Sequence, residues 1–358
     1  MKKYISVPLA ALLTSVLCIS GAAEAHAEEK SAPLIVTTIF PEYDWVKTLL
    51  GDNPASAEVV LLLDNGVDLH SYQPTAEDMM NIAQSDLFIY VGGESDGWVK
   101  DALKEAVNED MIVIDLLEEM GNLSKEEEVV EGMQEEEHDH DHGEEAGEAD
   151  HDHGDEAGEE DHDHGDEAGE ADHDHEENPD LDEHVWLSLK NAKVLCTVIE
   201  EALEKVDPDH AGEYQANLDT FTAQLDALDE SYQEAAASAQ YDTLLFGDRF
   251  PFRYLTDDYG LSYYAAFAGC SAETEASFDT IIFLADRMDE LELPAILTLE
   301  GTDQRIAQTV LQTCGGEKDR KILEMDSMQS VTAKDVEEGA SYLQIMEKNL
   351  EVLREALG

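Results

Sequence analysis

Of the 358 residues, 85 are Asp or Glu and only 20 are Lys or Arg, a formal net charge of −65 with His counted neutral. A field of that sign repels phosphate backbones and anionic bilayers, which excludes nucleic acid as a partner and makes small cations the natural ligands. The length suffices for two α/β lobes with separate cores.

Lys2 and Lys3 open the chain, an apolar run follows from Val7 to Ile19, and small residues stand at Ala23, Ala25 and Ala27. A basic start, an apolar stretch too short to cross a bilayer comfortably and an A-x-A site describe a secretory signal peptide over residues 1–27. The competing reading is an uncleaved anchor. Leu17 precedes Cys18 where a lipoprotein signal needs a small residue, so lipid anchoring at Cys18 is disfavoured. Export places the mature chain in the periplasm or outside the cell, where one disulfide among Cys196, Cys270 and Cys314 is reasonable; Cys270 with Cys314 is expected, both lying in the second half.

An N-terminal lobe is predicted over residues 31–206. Leu34 to Phe40, Val59 to Leu63, Leu87 to Val91 and Met111 to Leu116 read as strands, apolar without alternation, as parallel strands covered on both faces are. Helical spacing fills Tyr43 to Leu50, Thr75 to Ala83 and Trp98 to Val107. Residues 126–183 interrupt this rhythm with thirty acidic residues and no Lys or Arg. Within them Asp-His-Asp-His recurs at Asp150, Asp161 and Asp172, after a degenerate copy from His138 to His142. Such a composition cannot build a core and predicts disorder without metal.

Helical patterns resume from Asn191 to Lys205, and a linking helix is predicted within 207–240, about 45 Å long at thirty residues. The C-terminal lobe, 241–358, repeats the α/β pattern. Its strands are Thr243 to Phe246, Tyr263 to Phe267, Ala295 to Leu299 and Ile322 to Met325; its helices are Phe250 to Tyr259, Ser277 to Glu292, Thr302 to Thr313 and Ala333 to Leu357. The fold class is therefore α/β: two lobes, each with a parallel four-stranded sheet flanked by helices, joined by a long rigid helix. Ligands in such folds bind at the carboxyl ends of the strands, here in the cleft between lobes.

Outside the leader and the acidic tract only His70, His184 and His210 remain. His70 lies in Gly66-Val67-Asp68-Leu69-His70-Ser71-Tyr72-Gln73-Pro74, just beyond the second strand, and His184 in Asp182-Glu183-His184-Val185-Trp186-Leu187, where the tract ends. Both occupy loop positions facing a cleft, and neutral imidazole is a common ligand of Zn²⁺. His210 opens a polar helix and reads as a surface residue.

These segments, with Phe40-Pro41, the His-rich insertion and Tyr254…Tyr259-Gly260-Leu261, resemble the metal-binding lipoproteins and zinc-uptake binding proteins of the cluster A-I type over nearly the whole mature chain. The resemblance implies one divalent metal between the lobes, held by His70, His184 and Asp326, and delivery to the permease and ATPase of an ABC importer. Read from the residues alone, Asp326 is equally a helix N-cap. The family's remaining ligand, His or Glu, stands five residues before the position of Tyr254, and here that residue is Arg249, which cannot ligate a cation. Asp248 is the preferred substitute; Glu273, Glu275 and Glu300 are the alternatives.

Two imidazoles with carboxylate oxygen suit Zn²⁺, with Mn²⁺ as the alternative. The tract histidines His138, His140, His142, His151, His153, His162, His164, His173 and His175 form an accessory, metal-collecting field. A metal buffer acting through this tract is the second reading. A secreted zinc enzyme is the third, disfavoured because no H-E-x-x-H, G-x-S-x-G or Cys-based zinc signature is present. A monomer is expected.

Overall fold

The computed structural model describes residues 32–51, 57–134, 181–271, 275–315 and 319–358. The expected signal peptide, the nine tract histidines and Glu273 lie outside them.

In chain order the first half comprises β1 (Leu34–Thr37), α1 (Phe40–Leu50), β2 (Glu58–Leu61), α2 (Ala76–Gln84), β3 (Leu87–Tyr90), α3 (Val99–Ala102), β4 (Ile112–Asp115), α4 (Leu116–Met120) and α5 (Leu189–Val206). The long helix α6 (Ala211–Ser238) follows, then β5 (Thr243–Phe250), α7 (Arg253–Tyr259), β6 (Ser262–Ala268), α8 (Phe278–Glu290), β7 (Ala295–Leu299), α9 (Arg305–Thr313), β8 (Lys321–Met325), α10 (Ala333–Glu337) and α11 (Tyr342–Leu357). The two four-stranded sheets have the orders β2-β1-β3-β4 and β6-β5-β7-β8, parallel throughout. Both therefore reverse direction beside their first strand, and each opens a crevice at the carboxyl ends there.

Spacing explains α6. Tyr214, Leu218, Phe221, Leu225, Leu228, Tyr232 and Ala235 recur every three or four residues, form one buried stripe, and pack against α1, α5 and α11. One apolar core runs from the first sheet through these helices to one face of the second sheet; a smaller core around Leu284, Met288, Ile296 and Val310 covers the other face. Specific hydrogen bonds tie the lobes: Trp186 Nε1 donates to Ser327 O at 2.9 Å, and Tyr342 OH to Trp186 O at 2.7 Å.

Four departures from the sequence expectations have local causes. Helix α1 starts at Phe40, not Tyr43, because Pro41 is preset for a first turn and the buried Glu42 carboxylate accepts from Thr38 N and Ile39 N at 2.8 and 3.3 Å. The single helix expected over Ala333–Leu357 is two, broken at Gly339, whose φ of 92° a side chain rarely adopts. The predicted disulfide is absent: Cys196, Cys270 and Cys314 are all free. Cys314 instead packs on α8, its sulfur 3.8 Å from Ala285 O.

The fourth departure concerns the edges of the insertion. Residues 125–134 are an ordered strap over the second lobe. Lys125 N donates to Tyr254 OH at 2.9 Å, Tyr263 OH to Glu128 Oε2 at 3.1 Å, and Gln134 N to Ala266 O at 3.0 Å. Glu126 bridges Leu181 in antiparallel fashion. Composition grouped residues 126–134 with the tract, whereas the Glu127 and Glu128 carboxylates each have a partner in the second lobe and Met133 is buried.

Candidate metal centre

Asp326 and Glu300 sit just past the carboxyl ends of β8 and β7, His70 in the loop after β2, Asp248 within the last residues of β5, and His184 at the return from the tract. His70 lies on a 3₁₀ turn, Leu69–Ser71, after β2, and the Asp68 carboxylate accepts its backbone N–H at 3.0 Å. After β3 the chain turns sharply at Gly92 and Gly93 and brings Ser95 to His70. Gly93 has φ 77°, and a Cβ there would lie 2.4 Å from Glu183 Oε1, so only glycine leaves that carboxylate its seat. His184 is fully buried against the Trp186 ring, with centroids 5.2 Å apart.

The Nε2 atoms of His70 and His184 are 3.4 Å apart. His184 Nδ1 is 2.9 Å from Asp182 Oδ1, and because a carboxylate only accepts, the hydrogen is on Nδ1 and Nε2 offers its lone pair. His70 Nδ1 is 2.7 Å from Ser95 Oγ and 3.4 Å from Glu183 Oε2, which favours the same tautomer. Such backing fixes ring orientation and raises ligand basicity. An ion about 2.0–2.1 Å from each nitrogen, at a tetrahedral angle, would hold the two about 3.3–3.4 Å apart. The observed spacing matches that separation.

Among the described residues, one group of at least three His, Cys, Asp or Glu has its donor atoms mutually within 4.8 Å: His70, His184 and Cys270. Neither Asp248 nor Asp326 belongs to it. Asp248 accepts from Arg249 N at 2.9 Å and Leu299 N at 3.3 Å, knitting the ends of β5 and β7. Asp326 Oδ1 accepts from Met328 N at 2.8 Å, in a tight turn that holds Met328 at φ 65°. Nor is Asp326 a helix cap, since Thr332 caps α10 and Ser341 caps α11. Glu300 receives Ser327 N and Oγ, both at 2.8 Å, and Glu275 is exposed. His210 lies away from the group, its Nδ1 2.6 Å from Asp207 Oδ2.

Arg249 reaches across to the first lobe, Nη2 at 2.6 Å from Asp68 Oδ2. It stands where β5 breaks register with β6, between Phe246 and Arg249. Burial alone pushes the Asp68 carboxyl up, but the guanidinium, with His70, more than offsets it and holds Asp68 below its ordinary value.

The buried acids around the histidines set the local field. Burial raises Glu183, yet His70 and Ser95 outweigh it and the carboxyl stays below its usual value. One of its oxygens, Oε2, is buried without a hydrogen-bond partner. Asp96, beneath, is pushed up to about 7 by burial, against the pull of the Gly92 amide, with Glu183 adding to the rise. The Cys270 thiol is raised by burial and by Glu127, Glu183 and Asp182. Of this group, the sequence reading named the two histidines and not Cys270. The signal available was Gly269 before it: a Cβ at 269 would lie 2.9 Å from Phe250 O and 3.0 Å from His184 Cε1, so glycine lets the backbone pass against the imidazole.

Residues 35–356 match the family model described as zinc-uptake complex component A, periplasmic. A zinc-binding lipoprotein, AdcA, of Streptococcus pneumoniae is 28% identical over 321 residues, covering 90% of this chain, which itself spans only 55% of that lipoprotein. The high-affinity zinc uptake system protein ZnuA of Bacillus subtilis is 27% identical over 349 residues, covering 97% of this chain and 95% of that protein. In three dimensions, the Zn(II)-bound ZnuA-like domain of S. pneumoniae AdcA superposes with a TM-score of 0.63 at 24% identity, covering 91% of this chain and 99% of that one. The metal-dependent lipoprotein YcdH of B. subtilis gives 0.65 at 24%, covering 90% and 98%. These two likenesses establish the fold. No helix among the described residues is long and apolar enough to cross a membrane.

Proposed function

Since the chain belongs to the family of the zinc-uptake complex component A, we propose that it is an exported solute-binding protein that captures Zn²⁺ between His70 and His184 and hands it to an ABC importer. The observation that carries this reading is the pair of Nε2 atoms facing one another at 3.4 Å, each imidazole held at Nδ1 by an acceptor. Two lone pairs at that distance repel, and a cation between them turns the repulsion into two coordinate bonds. Imidazole favours Zn²⁺ over Mn²⁺ in the Irving–Williams order, so Mn²⁺ is the weaker competitor. Asp182 and Glu183, both buried beside the ring nitrogens, add the negative field that a divalent ion needs in a poorly solvated place.

Asp248 and Asp326 stand outside the group whose donor atoms lie mutually within 4.8 Å, so in this reading they brace the second lobe through backbone amides and leave the ion to other donors. The continuous core and the Trp186 and Tyr342 hydrogen bonds oppose wide hinge opening. Release therefore requires the permease to disturb one lobe by a small rotation.

The test is a zinc titration in competition with a chelating dye, on the full chain and on His70→Ala. One tight site that vanishes in the variant, with the melting temperature of the metal-free protein little changed, supports capture at this pair. Undiminished tight affinity in both His70→Ala and His184→Ala would overturn it.

A further inference from the structure

We propose that Cys270 supplies the third protein donor as a thiolate, making the cleft a His₂Cys site that takes thiophilic ions such as Zn²⁺ and excludes Mn²⁺. The inference rests on the capture site proposed above and names its remaining donor and its selectivity.

Three features of this chain converge on that sulfur. First, the position at which a nitrogen or oxygen donor is otherwise expected holds Arg249, a cation committed to Asp68 at 2.6 Å. Second, the backbone is brought to the histidines by a residue that tolerates no side chain, Gly269, and Cys270 follows with its sulfur within 4.8 Å of both ligating nitrogens. Third, Cys270 is pinned by the strap: its N–H donates to Glu127 Oε1 at 2.9 Å, and the strap is held by Tyr254, Tyr263 and Ala266. Glu183 Oε2, buried and 3.4 Å from His70 Nδ1, adds a further negative charge behind that imidazole.

A coordinating thiol is deprotonated by the metal, and its proton leaves to solvent. Three protein donors then leave one position of a tetrahedral Zn²⁺ for water. Soft thiolate selects Zn²⁺ and its thiophilic neighbours, whereas Mn²⁺ prefers oxygen ligands. The replacement of a harder donor by sulfur, next to a fixed guanidinium, therefore narrows the range of ions accepted.

The experiment adds Co²⁺ to the reduced full chain and reads the near-ultraviolet sulfur-to-cobalt charge-transfer band. Residues 135–180 contain no cysteine, so cobalt bound in the His-rich tract contributes nothing to that band. The expected result is a strong band, reversed by Zn²⁺, retained in Cys314→Ser and lost in Cys270→Ser. Zinc affinity should fall at least tenfold in Cys270→Ser while Mn²⁺ affinity stays within about twofold; Cys270→His should recover zinc affinity without the band. A cobalt protein with no such band, or a band that survives Cys270→Ser, overturns the thiolate donor. If the band is missing while His70→Ala still abolishes tight zinc binding, the capture reading stands and only the donor assignment falls.

Discussion

Arg249 of the second sheet and Asp68 of the first lobe form an ion pair at 2.6 Å, and the same Asp68 carboxylate lies 4.0 Å from Nε2 of His70. A fixed positive charge therefore stands one carboxylate away from the place of a divalent cation. Replacing it by Ala removes that repulsion and frees Asp68 to face the metal, two effects of the same sign. Arg249→Ala should bind Zn²⁺ severalfold to tenfold more tightly, up to about 1.4 kcal/mol. Both partners are partly exposed, so the metal-free fold should lose only about 1 kcal/mol. Titration and urea unfolding check the two halves; weaker zinc binding would mean that the guanidinium helps to hold the ion.

The buried hydrogen bond between Asp182 Oδ1 and His184 Nδ1 makes a separate prediction. Asp182→Asn keeps the shape but can present an amide N–H to the imidazole, which turns the ring to the wrong tautomer. Zinc affinity should drop by about 10–100-fold, the usual cost of losing a partner behind a metal-bound histidine. Gly269→Ala probes the neighbouring support without touching a donor. A Cβ 3.0 Å from His184 Cε1 must push the ring or the 269–270 backbone, and affinity should fall although every ligand remains. Wild-type affinity in both variants would show that the metal does not depend on this geometry.

Acid should stabilise the metal-free fold down to about pH 5. The Asp44 carboxyl is pushed up to about 6 by burial, which the Tyr342 amide it accepts only partly relieves. Between the ordinary aspartate value and about 6 the folded chain keeps a proton that the unfolded chain has released. The resulting stability is fully present below about pH 4 and is lost as pH rises through about 6. Asp44→Asn, which still accepts from Tyr342, should be more stable than wild type at pH 7.5 by roughly 2 kcal/mol, allowing for partial exposure, and equal to it near pH 4. Asp68 and Asp207, both held low by partners, oppose this below the usual carboxylate range and set the acid limit. Urea unfolding of both proteins at three pH values decides the matter; parallel profiles would remove Asp44 as the cause.

The strands were legible because buried parallel strands are unbroken apolar runs, as Leu87 to Tyr90 shows. His70 and His184 were legible because each follows an Asp at a strand end or loop, and outside the leader and the tract only His210 competes with them. Cys270 was not, because a cysteine in an exported chain reads first as half of a disulfide, and what distinguishes it is the space beside His184 that only a glycine leaves. Asp248 and Asp326 have the right chemistry at the right strand ends. Their carboxylates brace nearby amides and stand outside the cluster, however, and such placement is invisible in spacing. The start of α1 was misjudged by three residues because Phe40 continues an apolar run while Pro41 already begins the helix.

The boundary of the insertion carries the last prediction. Composition places it at 126, but Glu127 holds Cys270 N, Glu128 receives Tyr263, and Gln134 bonds Ala266, so the functional lobe includes the strap. Lys125 O accepts from Asp182 N at 2.8 Å, which joins the strap to the loop that carries His184. Deleting residues 135–180 and joining 134 to 181 through a short flexible linker should leave the melting temperature within a few degrees and the tight zinc site at full affinity. Only the weaker, multiple equivalents contributed by the nine tract histidines should go. Deleting 126–180 removes Glu127 as well, and should cost zinc affinity severalfold even where the fold survives. Calorimetric titration of both deletions separates the possibilities. Loss of the tight site in the shorter deletion would place the primary ligands in the tract, whereas equal affinity in the two would show that the strap does not position Cys270.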